Sequence, residues 1–144
     1  MTDTEPIDHQ GLQVLTASEC WELIRETPVG RVAFLADGQP TIYPVNHVLQ
    51  GRRIVIRTSK GALLHEALMS RPVAFEVDGF DPEGRTGWSV LVRGVAEPLR
   101  TDVDLDGLGL VPWADAIARD DAVVLLVDDV SGRRIVRAGS GSPT

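Results

Sequence analysis

From Val29 onward the chain is built of short apolar runs separated by Gly, Pro, Asp and Ser, with few stretches at helical spacing between them. That punctuation constrains the fold more than any other feature. Strands that follow one another through tight turns pair antiparallel, whereas a parallel pair needs a long crossover, usually a helix. The expected fold class is therefore mainly β with short α elements, closed as an antiparallel barrel with helices at its ends.

Thr16-Ala17-Ser18-Glu19 has the spacing of a helix capping box, and Cys20, Leu23 and Ile24 then fall on one face before Pro28, which predicts a helix over 17–26. Val32 to Leu35 and Thr41 to Val45 flank an Asp37-Gly38 turn and read as a hairpin. Pro44 has no N–H to give a ladder, so the second of these strands should be at an edge or bulged there. A third strand, Ile54 to Thr58, leads into a helix with Leu63, Leu64, Ala67 and Leu68 on one face and Ser59 as its cap. Pro72 stops that helix, and Val73, Phe75 and Val77 alternate in a fourth strand. Asp78 to Gly87 reads as a loop, and Trp88 to Ala96 as a fifth strand with Trp88, Val90 and Val92 on one face. A short helix is expected near Trp113 to Ala118 and a strand over Ala122 to Val127. Ser131-Gly132 then reads as a turn into a last strand, Arg133 to Ala138.

A chain of 144 residues suits one core. The expected domain spans 14–138, with flexible ends over 1–13 and 139–144, where small and polar residues offer little to bury. Fourteen basic against 21 acidic side chains leave a net charge of −7, which argues against nucleic acid, since phosphate binding needs a basic face. One cysteine, Cys20, makes no internal disulfide, and no apolar stretch reaches the ~20 residues of a membrane helix. A cytoplasmic location without membrane contact is the expectation.

His9, His47 and His65 are far apart and have no cysteines or carboxylates at ligand spacing, so no metal site is expected. Cys20, on the apolar face of its helix, reads as a small hydrophobe. No nucleophile elbow and no phosphate-cradling glycine motif is present in the sequence. What remains is Arg57-Thr58-Ser59-Lys60, where a strand delivers a guanidinium, two hydroxyls and an ammonium to a helix start; Lys60 is the only lysine of the chain. Such a corner suits a phosphate, through the Arg fork and the helix N-terminus. Spacing alone leaves open the alternative of a solvated strand end beside a capped helix. Trp88 is likewise open between core filling and stacking on a planar cofactor.

Arg57-Thr58 with Lys60 shortly after, followed later by Gly87-Trp88-Ser89-Val90-Leu91-Val92-Arg93-Gly94, resembles the flavin-binding split-barrel family, the pyridoxamine 5'-phosphate oxidase-like proteins. The likeness covers roughly Leu15 to Leu99 and takes in Tyr43-Pro44-Val45-Asn46. It implies a split barrel, in which Arg57, Thr58, Ser59 and Lys60 hold the phosphate of FMN and Tyr43, Pro44, Val45 and Asn46 lie along its ring system. It also implies a homodimer in which Trp88 and Ser89 approach from the second subunit. The activity implied is that of an FMN-dependent oxidoreductase on a small-molecule substrate, with no catalytic side chain assigned. The deazaflavin F420 is the alternative cofactor, and a non-catalytic cofactor carrier the alternative function. No C-terminal Arg, Trp and His cluster matches a grip for pyridoxal phosphate, which argues against pyridoxamine-phosphate oxidation itself.

Overall fold

The structure, a computed structural model, describes residues 7, 11–58, 71–99 and 121–135. Its elements are β1 (Gln13–Val14), α1 (Ala17–Glu26), β2 (Val29–Ala36), β3 (Gln39–Gln50), β4 (Arg53–Thr58), β5 (Pro72–Asp81), β6 (Thr86–Pro98) and β7 (Asp121–Ile135). Every ladder among them is antiparallel. The strand order β7-β4-β3-β2-β5-β6 closes through a β6–β7 pairing, and β1 adds to the far end of β7. Closure removes the exposed sheet edge that an open sheet of this length would present.

Alternation along the strands fills the barrel. Val32 and Phe34 from β2, Ile54 and Ile56 from β4, Val73, Phe75 and Val77 from β5, Val90 and Val92 from β6, and Val123 and Leu125 from β7 form one buried core. Helix α1 starts on a complete capping box: the Thr16 hydroxyl accepts from the Glu19 N–H at 3.1 Å, and the Glu19 carboxylate accepts from the Thr16 N–H at 2.8 Å. Cys20, Trp21 and Ile24 then seal the barrel interior at one end. Burial pushes the Cys20 thiol up and Glu19 adds to the rise, which suits a packed hydrophobe and not a nucleophile.

Two sequence expectations change. The segment 78–87 is mostly strand, since β5 and β6 pair as far as Asp81↔Thr86 and only a short turn is left between them. Ser131-Gly132 does not turn the chain, because β7 runs unbroken through it. Gly132 is there for packing: a Cβ on it would lie 2.7 Å from the Cys20 sulfur and 2.9 Å from Leu15. Pro44 lies beyond the last β3–β4 pair, His47↔Ile56, so its missing N–H interrupts no ladder on that side. The helices expected over Leu63 to Leu68 and Trp113 to Ala118 fall outside the described residues.

The glycine of the Arg93-Gly94 pair has a steric origin. β7 carries one residue more than β6 between Arg93↔Asp129 and Gly94↔Val127, leaving Asp128 unmatched in a bulge. The bulge brings the Leu126 carbonyl oxygen into the space that a Cβ on Gly94 would occupy.

Candidate functional site

The end of β4 is the place where sequence and geometry meet. The β3–β4 ladder stops at His47↔Ile56, so Asn46 just before it and Arg57 just after it stand on neighbouring strands and face outward together. Beneath them lies a small apolar patch on the barrel exterior, in which Val48 and Leu126 pack on the buried Val55, Ala122 and Val124. Arg57, half-buried, is paired across the ladder with Ala122. A guanidinium over apolar ground is poorly solvated and favours an anionic partner. Thr58 ends the strand opposite Asp121 in the backbone ladder; Ser59 and Lys60 lie outside the described residues.

Alternation divides the segment Tyr43 to Asn46. Pro44 and Asn46 share the outer face with Arg57, whereas Val45 points inward and is 3 % exposed. Tyr43 also points inward but sits at the barrel rim, with its ring centroid 5.8 Å from that of Phe34 and part of its surface in solvent. Trp88 and Ser89 are elsewhere. Trp88 pairs with Arg134 and packs half-buried on the core, its indole lying over Gly79, where a Cβ would come within 2.6 Å of the ring nitrogen. Arg57 is opposite Ala122 and Trp88 is opposite Arg134, so twelve residues of β7, about 40 Å of strand contour, separate the two groups within one protomer.

Two further groups were not singled out by sequence spacing. Arg31 on β2 faces Glu76 and Asp78 on β5, with one guanidinium nitrogen 3.1 Å from the Glu76 carboxylate and 3.0 Å from that of Asp78. Two carboxylates share one cation there. Burial pushes the Glu76 carboxyl up to about 7, the hydrogen bond and charge of Asp78 add to the rise, and Arg31 opposes it. His47 is the one buried polar residue of the described core; its Nε2–H donates to the Ile24 carbonyl at 3.0 Å, and its ring meets Phe75 edge-on at 4.9 Å. Its Nδ1 has no hydrogen-bond partner among the described residues, and burial holds its pKa below the ordinary 6.5. Only the tertiary contacts, strand to strand for Arg31 and strand to helix for His47, reveal either arrangement, because the partners are 45 and 23 residues apart in sequence.

A closed antiparallel barrel with a capping helix and an outward cationic strand end defines the class, that of the split barrels. The profile of the pyridoxamine 5'-phosphate oxidase family matches residues 16–134, and the chain belongs to that family. The uncharacterised protein Rv0080 of Mycobacterium tuberculosis is 35% identical over 136 residues, covering 90% of this chain and 88% of that one. Among solved structures, the FAD binding protein of Mycobacterium smegmatis is 34% identical, covers 87% of this chain and 99% of its own, and superposes with a TM-score of 0.68. A conserved protein of unknown function from Corynebacterium diphtheriae is 32% identical with a TM-score of 0.70, over 87% of this chain and 98% of that one.

Proposed function

We propose that this chain is a flavin-binding oxidoreductase that acts as a homodimer on a small organic molecule, with the cofactor phosphate held at the end of β4. The observation that carries the reading is the placement of Arg57 beside Asn46 on one outward face, at the point where β4 leaves the sheet. Arg57 offers a planar fork of donors and Asn46 an amide, above apolar ground that weakens the competition from water. Thr58, Ser59 and Lys60 follow in sequence and would add two hydroxyls and an ammonium to the same corner. Pro44, with Tyr43 at the rim and Val45 anchoring the strand from within, would lie along the ring system. Trp88 and Ser89 would come from the second copy, because within one protomer they are too far from Arg57 to serve the same ligand.

The flavin is supported by the similarity to the FAD binding protein of Mycobacterium smegmatis. FMN, with a single terminal phosphate, matches one cationic corner, and FAD is the second reading because that relative is described as binding it. F420 has less support, since its acidic tail calls for further cations. Arg52 lies over Trp21 and Arg53 begins β4, both away from Arg57, while Arg31 is occupied by two carboxylates. A bound flavin supplies the hydride or electron transfer, and the chain supplies its orientation and electrostatics.

The test is the absorbance spectrum and mass spectrum of the purified protein, repeated on Arg57→Ala combined with Lys60→Ala. The parent should carry or take up flavin, and the double variant should bind it at least about tenfold more weakly. A double variant that binds flavin as the parent does refutes the phosphate corner. Tight binding with no turnover by any electron donor would reduce the protein to a carrier.

A further inference from the structure

Between α1 and the β3–β4 hairpin lies a cavity of about 530 Å³, within the range that holds small ligands, and the cofactor reading leaves it without a task. Trp21 and Leu49 line its apolar side, and Arg25, Arg52 and Glu22 its polar side. Its cations are not those of the cofactor corner: Arg52 precedes β4 and Arg57 stands near the other end of that strand, about 16 Å along it. The chain as a whole has a net charge of −7, yet here one carboxylate meets two guanidiniums. Glu22 pairs with Arg25 at 3.1 Å, and among the described residues no carboxylate pairs with Arg52. The Arg52 guanidinium carbon lies instead over the Trp21 ring, 5.7 Å from its centroid. A guanidinium stacked on an indole keeps the N–H fork at its edge for a carboxylate.

His47 stands in the wall of the same cavity and gives an independent sign of a ligand. It is 6 % exposed. Its Nε2 meets the Ile24 oxygen at 3.0 Å, and because a carbonyl only accepts, that nitrogen carries the proton. Nδ1 of the neutral ring is then a bare acceptor, buried and without a hydrogen-bond partner among the described residues. Burial holds the ring's pKa below 6.5, so the acceptor is present at neutral pH. Buried polar atoms are satisfied in nearly every case, and this one calls for a donor that the described residues do not supply.

We infer that this cavity is a second ligand site, for a small aromatic carboxylate that also carries an O–H or N–H donor. The carboxylate sits on the Arg52 fork with Arg25 beside it, the ring lies against Trp21 and Leu49, and the donor reaches His47 Nδ1. An inorganic anion would meet the arginines and leave the apolar wall bare, and a neutral ring would leave the Arg52 charge unmatched. The site stands whether or not the chain holds a flavin, because it shares no residue with the corner at the end of β4.

Calorimetric titration of the purified protein with ortho-, meta- and para-hydroxybenzoate tests it, beside benzoate, which lacks the donor, and phenol, which lacks the charge. At least one hydroxybenzoate should bind once per chain and about tenfold or more tightly than either control. Arg52→Ala, at an exposed position where the fold has little to lose, should weaken that binding about tenfold or more with circular dichroism unchanged. Nitrogen NMR of the His47 ring supplies a readout that a purely structural role would not move. Its Nδ1 signal should shift upfield as the hydroxybenzoate is added, the direction of a bare imidazole nitrogen gaining a hydrogen bond, and should stay in place with benzoate. The site is overturned if none of the three acids binds, if benzoate binds as tightly as they do, if Arg52→Ala binds as the parent does, or if the Nδ1 signal stays fixed through saturation.

Discussion

Glu76→Gln is expected to make the protein more stable at pH 8 and to leave it unchanged near pH 4.5. Glu76 and Asp78 compete for one nitrogen of Arg31, at 3.1 and 3.0 Å, on a partly buried wall of the barrel. The Glu76 carboxyl, pushed from 4.5 to about 7 in the fold, holds a proton that the unfolded chain releases. Stability from this group is therefore present below about pH 4.5 and is lost as the pH rises through 7. A displacement of that size sets an upper limit of about 3.4 kcal/mol. The side chain is 32 % exposed, so solvent screening brings the expected value to about 1–2 kcal/mol. An amide keeps a hydrogen bond to Arg31, can donate to Asp78 and never ionises, so the variant should lose the pH dependence. Paired thermal unfolding curves at pH 5 and pH 8, at equal protein concentration, should show the variant ahead by about 3–7 °C at the higher pH only. An offset that is the same at both pH values, or a variant less stable at pH 8, would refute the shared-proton account.

Other perturbations read other parts of the fold. Gly94→Ala forces a Cβ onto the Leu126 carbonyl at the β7 bulge and should destabilise by about 2–4 kcal/mol in urea unfolding. Because the unfolded chain takes up a proton below about pH 6.5 and folded His47 resists it, stability should fall as the pH drops from 6.5. NMR of the His47 ring should show it still neutral below that pH, and His47→Gln should remove this part of the acid sensitivity. Thr16→Ala removes the hydroxyl that accepts from the Glu19 N–H, one of the two hydrogen bonds of the capping box, and should cost about 1 kcal/mol of stability, seen as a lower urea midpoint at constant slope.

The elements that were legible in the sequence are those fixed by local chemistry. The capping box placed α1 to the residue, and the Asp37-Gly38 turn placed the β2–β3 hairpin, because both depend on groups a few bonds apart. The motif from Gly87 to Gly94 located β6 and pointed to the family. Glycines and polar residues inside strands are the places where the sequence reads as turn and the structure is strand. Gly79, Gly87 and Gly132 sit inside strands, since a neighbouring indole, a carbonyl or the Cys20 sulfur occupies the space of their Cβ. No local pattern distinguishes a glycine that bends the chain from one that makes room for a side chain arriving from elsewhere.

The candidate site divides in the same way. Arg57 to Lys60 could be picked out as a cationic strand end from residue types alone, since charge and hydrogen-bonding capacity belong to the side chains themselves. That Asn46 stands beside Arg57, that Val45 turns inward, that Arg31 joins two carboxylates and that Trp88 lies some twelve residues of strand away were decided by ladder register and barrel closure. Register is a property of two strands together: a shift of one residue would have sent every outward side chain to the core, and only the packed barrel selects among the possibilities.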